Sequence, residues 1–297
     1  MNEGKQIAED SNSPQRGHAA HKQLLKKHRR SHAWVSGFFL IVHLLCILMP
    51  LGIIVTWSFT ASWPWPELLP QEFSSRGLVE LFSPRQGLGL VLGQSVGIAL
   101  GTALLSTVIA TCAARALAFH DFFGKELFRF ASVLPFLIPS TVFAMGIQVL
   151  FIRAGLANTV LGVILAHTIV SLPYAIAIMG EVTIAAGMRL EQQARVLGAS
   201  PLRTCLHVQV PQLLPGILSA ASMVYIISFS QYFLTLLIGG GAVKTLATVM
   251  FPFLTSGDRT IASAYGLVFL LATLVVFFLF ELLLKRFANR EVSYFEG

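Results

Sequence analysis

The sequence predicts an all-α membrane protein of six transmembrane helices with both termini cytoplasmic, and three observations predict it. Hydrophobic residues make up 55% of the 297-residue chain and charged residues only 12%, which leaves too little polar surface to clothe a soluble domain. Six long apolar runs recur along the chain, each near the ~20 residues that a bilayer core requires. The basic residues divide unevenly between the connections, sixteen on one side of the runs and five on the other.

Residues 1–33 are polar and basic, and predict a disordered cytoplasmic tail whose cationic end meets anionic lipid. Its histidines, His18, His21, His28 and His32, are spaced irregularly among lysines, as in a solvated tail rather than a metal site. Residues 34–297 read as the membrane domain. Its first run, 34–59, is too long and too far from the start for a cleaved signal. The segment that follows, from Trp63 to residue 70, alternates Trp and Pro as an interfacial belt with a stiff turn does. The second run, 88–114, carries Gly89, Gly93, Gly97 and Gly101 at every fourth position, which predicts close packing against another helix of the bundle. Run 130–152 contains Pro135 and Pro139, and run 161–180 contains Pro173, so kinked spans are expected at both. Runs 216–238 and 261–284 complete the six. Cys46, Cys112 and Cys205 imply no disulfide framework.

Orientation follows from the cations. Seven lie in the tail, Arg115, Lys125 and Arg129 between the second and third runs, Arg189, Arg195 and Arg203 between the fourth and fifth, and Lys285, Arg286 and Arg290 after the last. Only Arg76, Arg85, Arg153, Lys244 and Arg259 remain for the opposite side. The positive-inside rule therefore places the 181–215 connection in the cytoplasm. The formal charge of +7 reads as topology and lipid contact, and no basic nucleic-acid-binding motif accompanies it.

Polar residues inside runs are costly unless partnered or wet. Gln94, Gln148, Ser228, Gln231 and Tyr232 are the candidates to line a pathway, although hydrogen bonding between helices is an equal role for any of them. His167, Ser171, Tyr225 and Ser230 belong to the same group. No Asp or Glu falls in the middle of a run, which argues against the main alternative, an ion-coupled secondary carrier. Catalytic signatures are absent too. Gly124-Lys125 is followed by Glu126 and lacks the upstream glycine of a phosphate-cradling loop, so any ATP that drives this chain binds elsewhere.

The stretch 191–215 carries the strongest local punctuation. Ser200 before Pro201 is a helix start, a hydroxyl cap followed by a ring whose missing N–H costs nothing in the first turn. Gly198 can take the positive φ that ends a preceding helix. The expectation is a short helix, a sharp turn at Gly198, and a second short helix ended near Pro211. Such a hairpin between spans is of use when something docks on it.

Its spacing resembles the signature loop of the membrane subunits of binding-protein-dependent ABC importers, which has a Glu-Ala-Ala triplet, a glycine, and a hydrophobic-x-hydrophobic-Pro ending. Gln192, Gln193 and Ala194 fall on the triplet, Gly198 on the glycine, and Val208, Val210 and Pro211 on the ending. Residues 132–146 and 155–173 look like the segments that precede it in such permeases, and the similarity covers roughly 93–284. The resemblance implies a type I importer (MetI-like) permease in a bacterial inner membrane, with a core over 88–284 and a coupling loop over 181–215. It implies two permease subunits, identical or sister chains, above a cytoplasmic ATPase dimer that binds ATP and Mg, and a solute-binding protein on the outer face. The permease itself then holds no cofactor and catalyses nothing. Glu191, Gln192, Gln193, Ala194, Arg195, Gly198, Ala199, Ser200, Pro201, Val208, Val210 and Pro211 are the residues so implied in contact with the ATPase. The Trp/Pro-rich outer segment resembles most the polyamine, thiamine and iron(III) branch. Family members use the first glutamate of the triplet for polar contacts with the ATPase, yet Gln192 stands there. Either its amide substitutes, or Glu191 or Arg195 takes over.

Overall fold

The computed structural model describes residues 37–63, 67 and 69–295. The basic tail and its histidines lie outside them, as does part of the Trp/Pro segment. The chain divides between Thr56 and Trp57 into two units. The first holds all but the last two residues of one apolar helix, α1, Gly37–Ser58, with a mean hydropathy of 2.8.

The second unit opens with a small antiparallel ribbon, β1 (Thr60–Ser62) and β2 (Glu72–Phe73), and a short helix α2 (Arg76–Leu81). Trp57 stacks on Trp63 at 4.9 Å and carries the Arg259 guanidinium over its ring at 5.3 Å, an aromatic and cationic arrangement suited to a membrane interface. The bundle follows: α3 (Leu88–Phe119), α4 (Lys125–Leu137), α5 (Ser140–Arg153), α6 (Val160–Ala186), α7 (Arg189–Val196), α8 (Pro201–Thr204), α9 (Val210–Phe229), α10 (Phe233–Gly239), α11 (Leu246–Ser256) and α12 (Arg259–Phe295). One core cluster joins α3, α6, α9 and α12 through Ala103, Ala110, Met179, Val224, Tyr225 and Tyr265. Small residues on α3 let its neighbours approach closely. A second cluster joins α3, α5, α6 and α10 through Ile98, Ala144, Val163, Leu234 and Ile238.

Among the described residues five helices are long and apolar enough to cross a membrane: Gly37–Ser58, Leu88–Phe119, Val160–Ala186, Pro201–Phe229 and Arg259–Arg286. The run 130–152 is not one helix. The chain extends at Ile138 (φ −94°, ψ 130°) and Pro139 (φ −51°, ψ 129°), where the proline ring disfavours the helical conformation of the residue before it. Pro173, by contrast, sits inside an unbroken α6. The run 216–238 is also divided, at Ser230–Tyr232, between α9 and α10.

The glycine stripe of α3 corrects a second expectation. Only Gly101 faces a close neighbour, where an added Cβ would meet Ile164 at 3.2 Å. Gly89, Gly93 and Gly97 are exposed, with nothing within 4 Å of the position a Cβ would take, so among the described residues only the Gly101 end of the stripe is a packing contact.

Candidate coupling hairpin

Residues 187–209 form the hairpin that the sequence announces. Helix α7 closes with a paired set of hydrogen bonds: Ala199 N–H donates to the Ala194 carbonyl and Gly198 N–H to that of Arg195, both at 3.0 Å. This reversal needs a left-handed residue, and Gly198 supplies it at φ +86°. Ser200, in an extended conformation, then caps α8 with its hydroxyl accepting from Arg203 N–H at 3.4 Å, and Pro201 takes the first helical position.

The second arm does not end near Pro211. Pro201–Thr204 continues through a π-helical turn, Cys205–Gln209, directly into α9. Val210 N–H bonds back to the Cys205 carbonyl across five residues. That wider turn shifts the ladder just ahead of Pro211, which sits in the first turn of α9 where its missing N–H is tolerated. The hairpin and the apolar α9 are therefore one continuous lever.

One ion pair ties the hairpin to the bundle, and two contacts between α6 and α9 hold its feet together. Glu191 is only 3% exposed, and its carboxylate is held by Arg115 of α3 at 2.7 Å and by Arg195 at 2.5 Å. Charge-assisted bonds of this length are among the stronger ones a protein makes. Arg115 in turn lies over the ring of Phe119 at 6.0 Å. The Gln212 amide donates to the Ala186 carbonyl at 2.9 Å, closing the hairpin's two feet on each other. Beneath them α9 touches α6 at Gly216, where a Cβ would stand 2.7 Å from Val182. Arg115 and Gln212 carried no sequence signal for these roles. Their partners lie 76 and 26 positions away.

The opposite surface of the hairpin is open. Val196, Leu197 and Leu202 are 88%, 86% and 70% exposed, large apolar side chains clustered around a turn rich in polar residues. Burying each is worth about 1.5–3 kcal/mol, so a partner that covers the tip gains substantially. Gln192, Gln193, Arg189, Arg203, Ser200 and Pro201 are exposed around them, while Ala194, Ala199 and Val208 are half-buried. Val210 and Pro211 lie exposed at the start of α9.

Of the residues expected to line a pathway, Ser228 and Gln231 are neighbours, with Gln231 N–H donating to the Ser228 carbonyl at 3.2 Å, while Gln94, Gln148 and Tyr232 are placed separately. The Gln148 amide donates to the Leu237 carbonyl at 3.1 Å, and Tyr232 stacks on Phe251 at 3.8 Å. Ser228 is buried against His167 Nδ1 at 2.8 Å, while His167 Nε2 meets the Thr235 hydroxyl at 3.0 Å. Because the Thr235 hydroxyl already donates to the Gln231 carbonyl at 2.6 Å, Nε2 must be the donor and Nδ1 the acceptor. His167 thus staples α9 to α10 across the break at Ser230–Tyr232. Gln94 remains half-buried on α3. Nearer the hairpin, a cleft of about 530 Å³ runs between α3, the π turn, α9 and α12, lined by Leu104, Val108, Cys112, Cys205, Ile217 and Phe280.

A tightly packed helical bundle with apolar spans of this length is a multi-pass integral membrane protein, and the comparisons specify which kind. Residues 106–290 match the family described as the binding-protein-dependent transport system inner membrane component, and the chain belongs to it. It is 30% identical over 282 residues to a spermidine/putrescine transport system permease protein PotC homolog of Mycoplasma pneumoniae, covering 87% of this chain and 94% of that one. It is 35% identical over 140 residues to the molybdate/tungstate transport system permease protein WtpB of Pyrococcus abyssi, covering 47% and 56%. In fold it matches the crystal structure of a bacterial ABC transporter involved in the import of the acidic polysaccharide alginate, with a TM-score of 0.65 at 15% identity over 85% of this chain and 96% of that one. The transport-permease class and the polyamine-permease kinship follow from these matches together.

Proposed function

We propose that this chain is one of two membrane subunits of a type I ABC importer, and that the 187–209 hairpin is the element through which a separate ATPase drives it. The observation that carries this reading is the tip itself, three exposed apolar side chains on a turn locked to α3, α6 and α9. A surface of that kind transmits force when gripped, because the hairpin, the π turn and α9 move as one piece. ATP and Mg bind on the cytoplasmic ATPase dimer. The transmembrane path forms when a second permease, identical or sister, covers the exposed face of α3, where Gly89, Gly93, Gly97, Leu100, Leu104 and Val108 stand uncovered. An extracytoplasmic solute-binding protein delivers cargo to the end of the bundle away from the hairpin. The relatives named for spermidine and putrescine favour a polyamine as that cargo.

In this reading the chain crosses a bacterial inner membrane six times, with α4 and α5 together supplying one crossing and both termini cytoplasmic. Single-cysteine variants at Ser62 and Ser256 should react with an impermeant thiol reagent outside intact cells, and one at Ser13 should not. Labelling of position 13 from outside would reverse the orientation. The functional test is reconstitution. Uptake should require the ATPase subunit and ATP, and the purified chain alone should hydrolyse none. Solute accumulation driven by an ion gradient with this chain alone would favour a carrier instead.

A further inference from the structure

We infer that the partner surface gripping this hairpin is acidic: an apolar socket rimmed by carboxylates. The inference rests on the coupling role proposed above and concerns the chemistry of the partner.

Between residues 187 and 215 the chain holds a single carboxylate, Glu191, and three arginines, Arg189, Arg195 and Arg203. Glu191 is turned into the bundle and both of its oxygens are occupied, one by Arg115 and the other by Arg195. On the hairpin itself an approaching protein therefore meets no free carboxylate. At the neighbouring position, where the importers this chain resembles carry glutamate, Gln192 is exposed and neutral. What the surface does present is positive. Arg189 and Arg203 are exposed with no ion-pair partner among the described residues, and the Arg195 side chain, 55% exposed, keeps donors free beyond the one Nη committed to Glu191.

Arg195 and Arg203 are chain neighbours of Val196 and Leu202, and Arg189 stands about two turns earlier on α7, so a partner that covers the apolar tip draws water away from the adjacent cations. Desolvating an arginine without a counter-charge is costly, whereas carboxylates placed opposite offset that cost and steer the encounter. The Arg115–Glu191 pair thus does two things. It pins the hairpin to α3, and it hides the one group that would have attracted a basic partner. Anionic lipid also suits cations beside apolar side chains, but a lipid-bound segment presents one amphipathic helical face. Here the apolar residues lie on both sides of the Gly198 turn, on a knob fixed by Gln212 and Glu191, which suits a concave protein socket.

The test uses the full-length chain in detergent with the ATPase subunit co-purified from native membranes and identified by its own nucleotide-binding motifs. Association should weaken as salt is raised. Arg189→Glu and Arg203→Glu should each weaken it about threefold to fivefold, the range for rim charges at an interface. Gln192→Glu should weaken it too, because a new carboxylate would face carboxylates. Tighter binding of Gln192→Glu, or no dependence on salt and on the arginines, would overturn the acidic socket while leaving the docking role intact. Leu202→Asp separates the two readings: it should abolish association whatever the socket's charge, and unaltered binding would overturn the docking role itself. For lipid, a fluorescent probe at Leu202→Cys, with Cys46, Cys112 and Cys205 replaced by serine, should shift on adding the ATPase. A shift with anionic phospholipid vesicles alone, unchanged by the ATPase, would overturn the proposal in favour of the membrane surface.

Discussion

Gly198 and Gly240 both hold left-handed backbone, at φ +86° and +52°, in opposite surroundings. A Cβ on Gly240 would fall 1.8 Å from the Asn158 side-chain oxygen, whereas a Cβ on Gly198 would meet nothing within 4 Å. One glycine is required by space and direction together, the other by direction alone. The difference extends to their neighbourhoods. Around Gly240 the chain satisfies itself: Asn158 N–H donates to the Ile238 carbonyl at 2.7 Å, Thr245 and Thr248 cap α11 reciprocally, and Ser95 accepts from Leu246 N–H at 2.7 Å. Around Gly198 the hydrogen bonds are equally complete but the apolar side chains are not covered. At opposite ends of α6, therefore, one left-handed turn is closed against its own neighbours and the other carries uncovered apolar side chains.

The comparison breaks most visibly at Gly240. Gly240→Val adds overpacking of about 1–3 kcal/mol to positive-φ strain of about 1–2 kcal/mol, so the thermal unfolding midpoint in detergent should fall sharply. A midpoint equal to the parent's would deny that this turn is closely packed. The next effect belongs to His167→Ala, which strands the Ser228 hydroxyl in the core while Thr235 keeps its bond to the Gln231 carbonyl, and should cost about 1–3 kcal/mol, with uptake reduced as α10 loosens from α9. Unchanged stability there would mean that the staple contributes nothing. Gly198→Val comes third for stability. Its strain of about 1–2 kcal/mol is confined to the hairpin, so insertion and the unfolding of the bundle should stay near normal. Smallest is Ser200→Ala, which removes one cap worth about 1 kcal/mol and should lower coupling without abolishing it. A Ser200→Ala loss of uptake larger than that of Gly198→Val would shift the critical point from the turn to the second arm.

Legibility in the sequence followed the range of the forces involved. The hairpin was readable because its signals are local: Gly198, Ser200 and Pro201 act on their immediate neighbours. The apolar runs were readable because bilayer thickness sets their length. Prolines were less informative, since Pro139 ends a helix, Pro173 is carried inside one, and Pro211 is accommodated by a π turn whose need shows only in the hydrogen-bond ladder. The glycine stripe misled, because spacing tells which residues share a face but not what that face meets. Arg115 was visible as a topological charge, and nothing in its local sequence marks Glu191 as its partner. Among the polar residues of the spans, His167 and Gln148 have defined hydrogen-bond partners that their local sequence does not announce. Only the folded neighbourhood distinguishes a staple from a pathway.

The most direct test of the account is uptake by Gly198→Val beside the parent chain, each reconstituted in proteoliposomes with its ATPase and solute-binding protein. The account predicts that Gly198→Val inserts to the parent's level, loses ATP-driven uptake and binds the ATPase more weakly, because the turn no longer aims Leu202 at its socket. Uptake at the parent's rate with the ATPase still bound would contradict it, and would mean that the hairpin is not the element through which ATP hydrolysis moves the bundle.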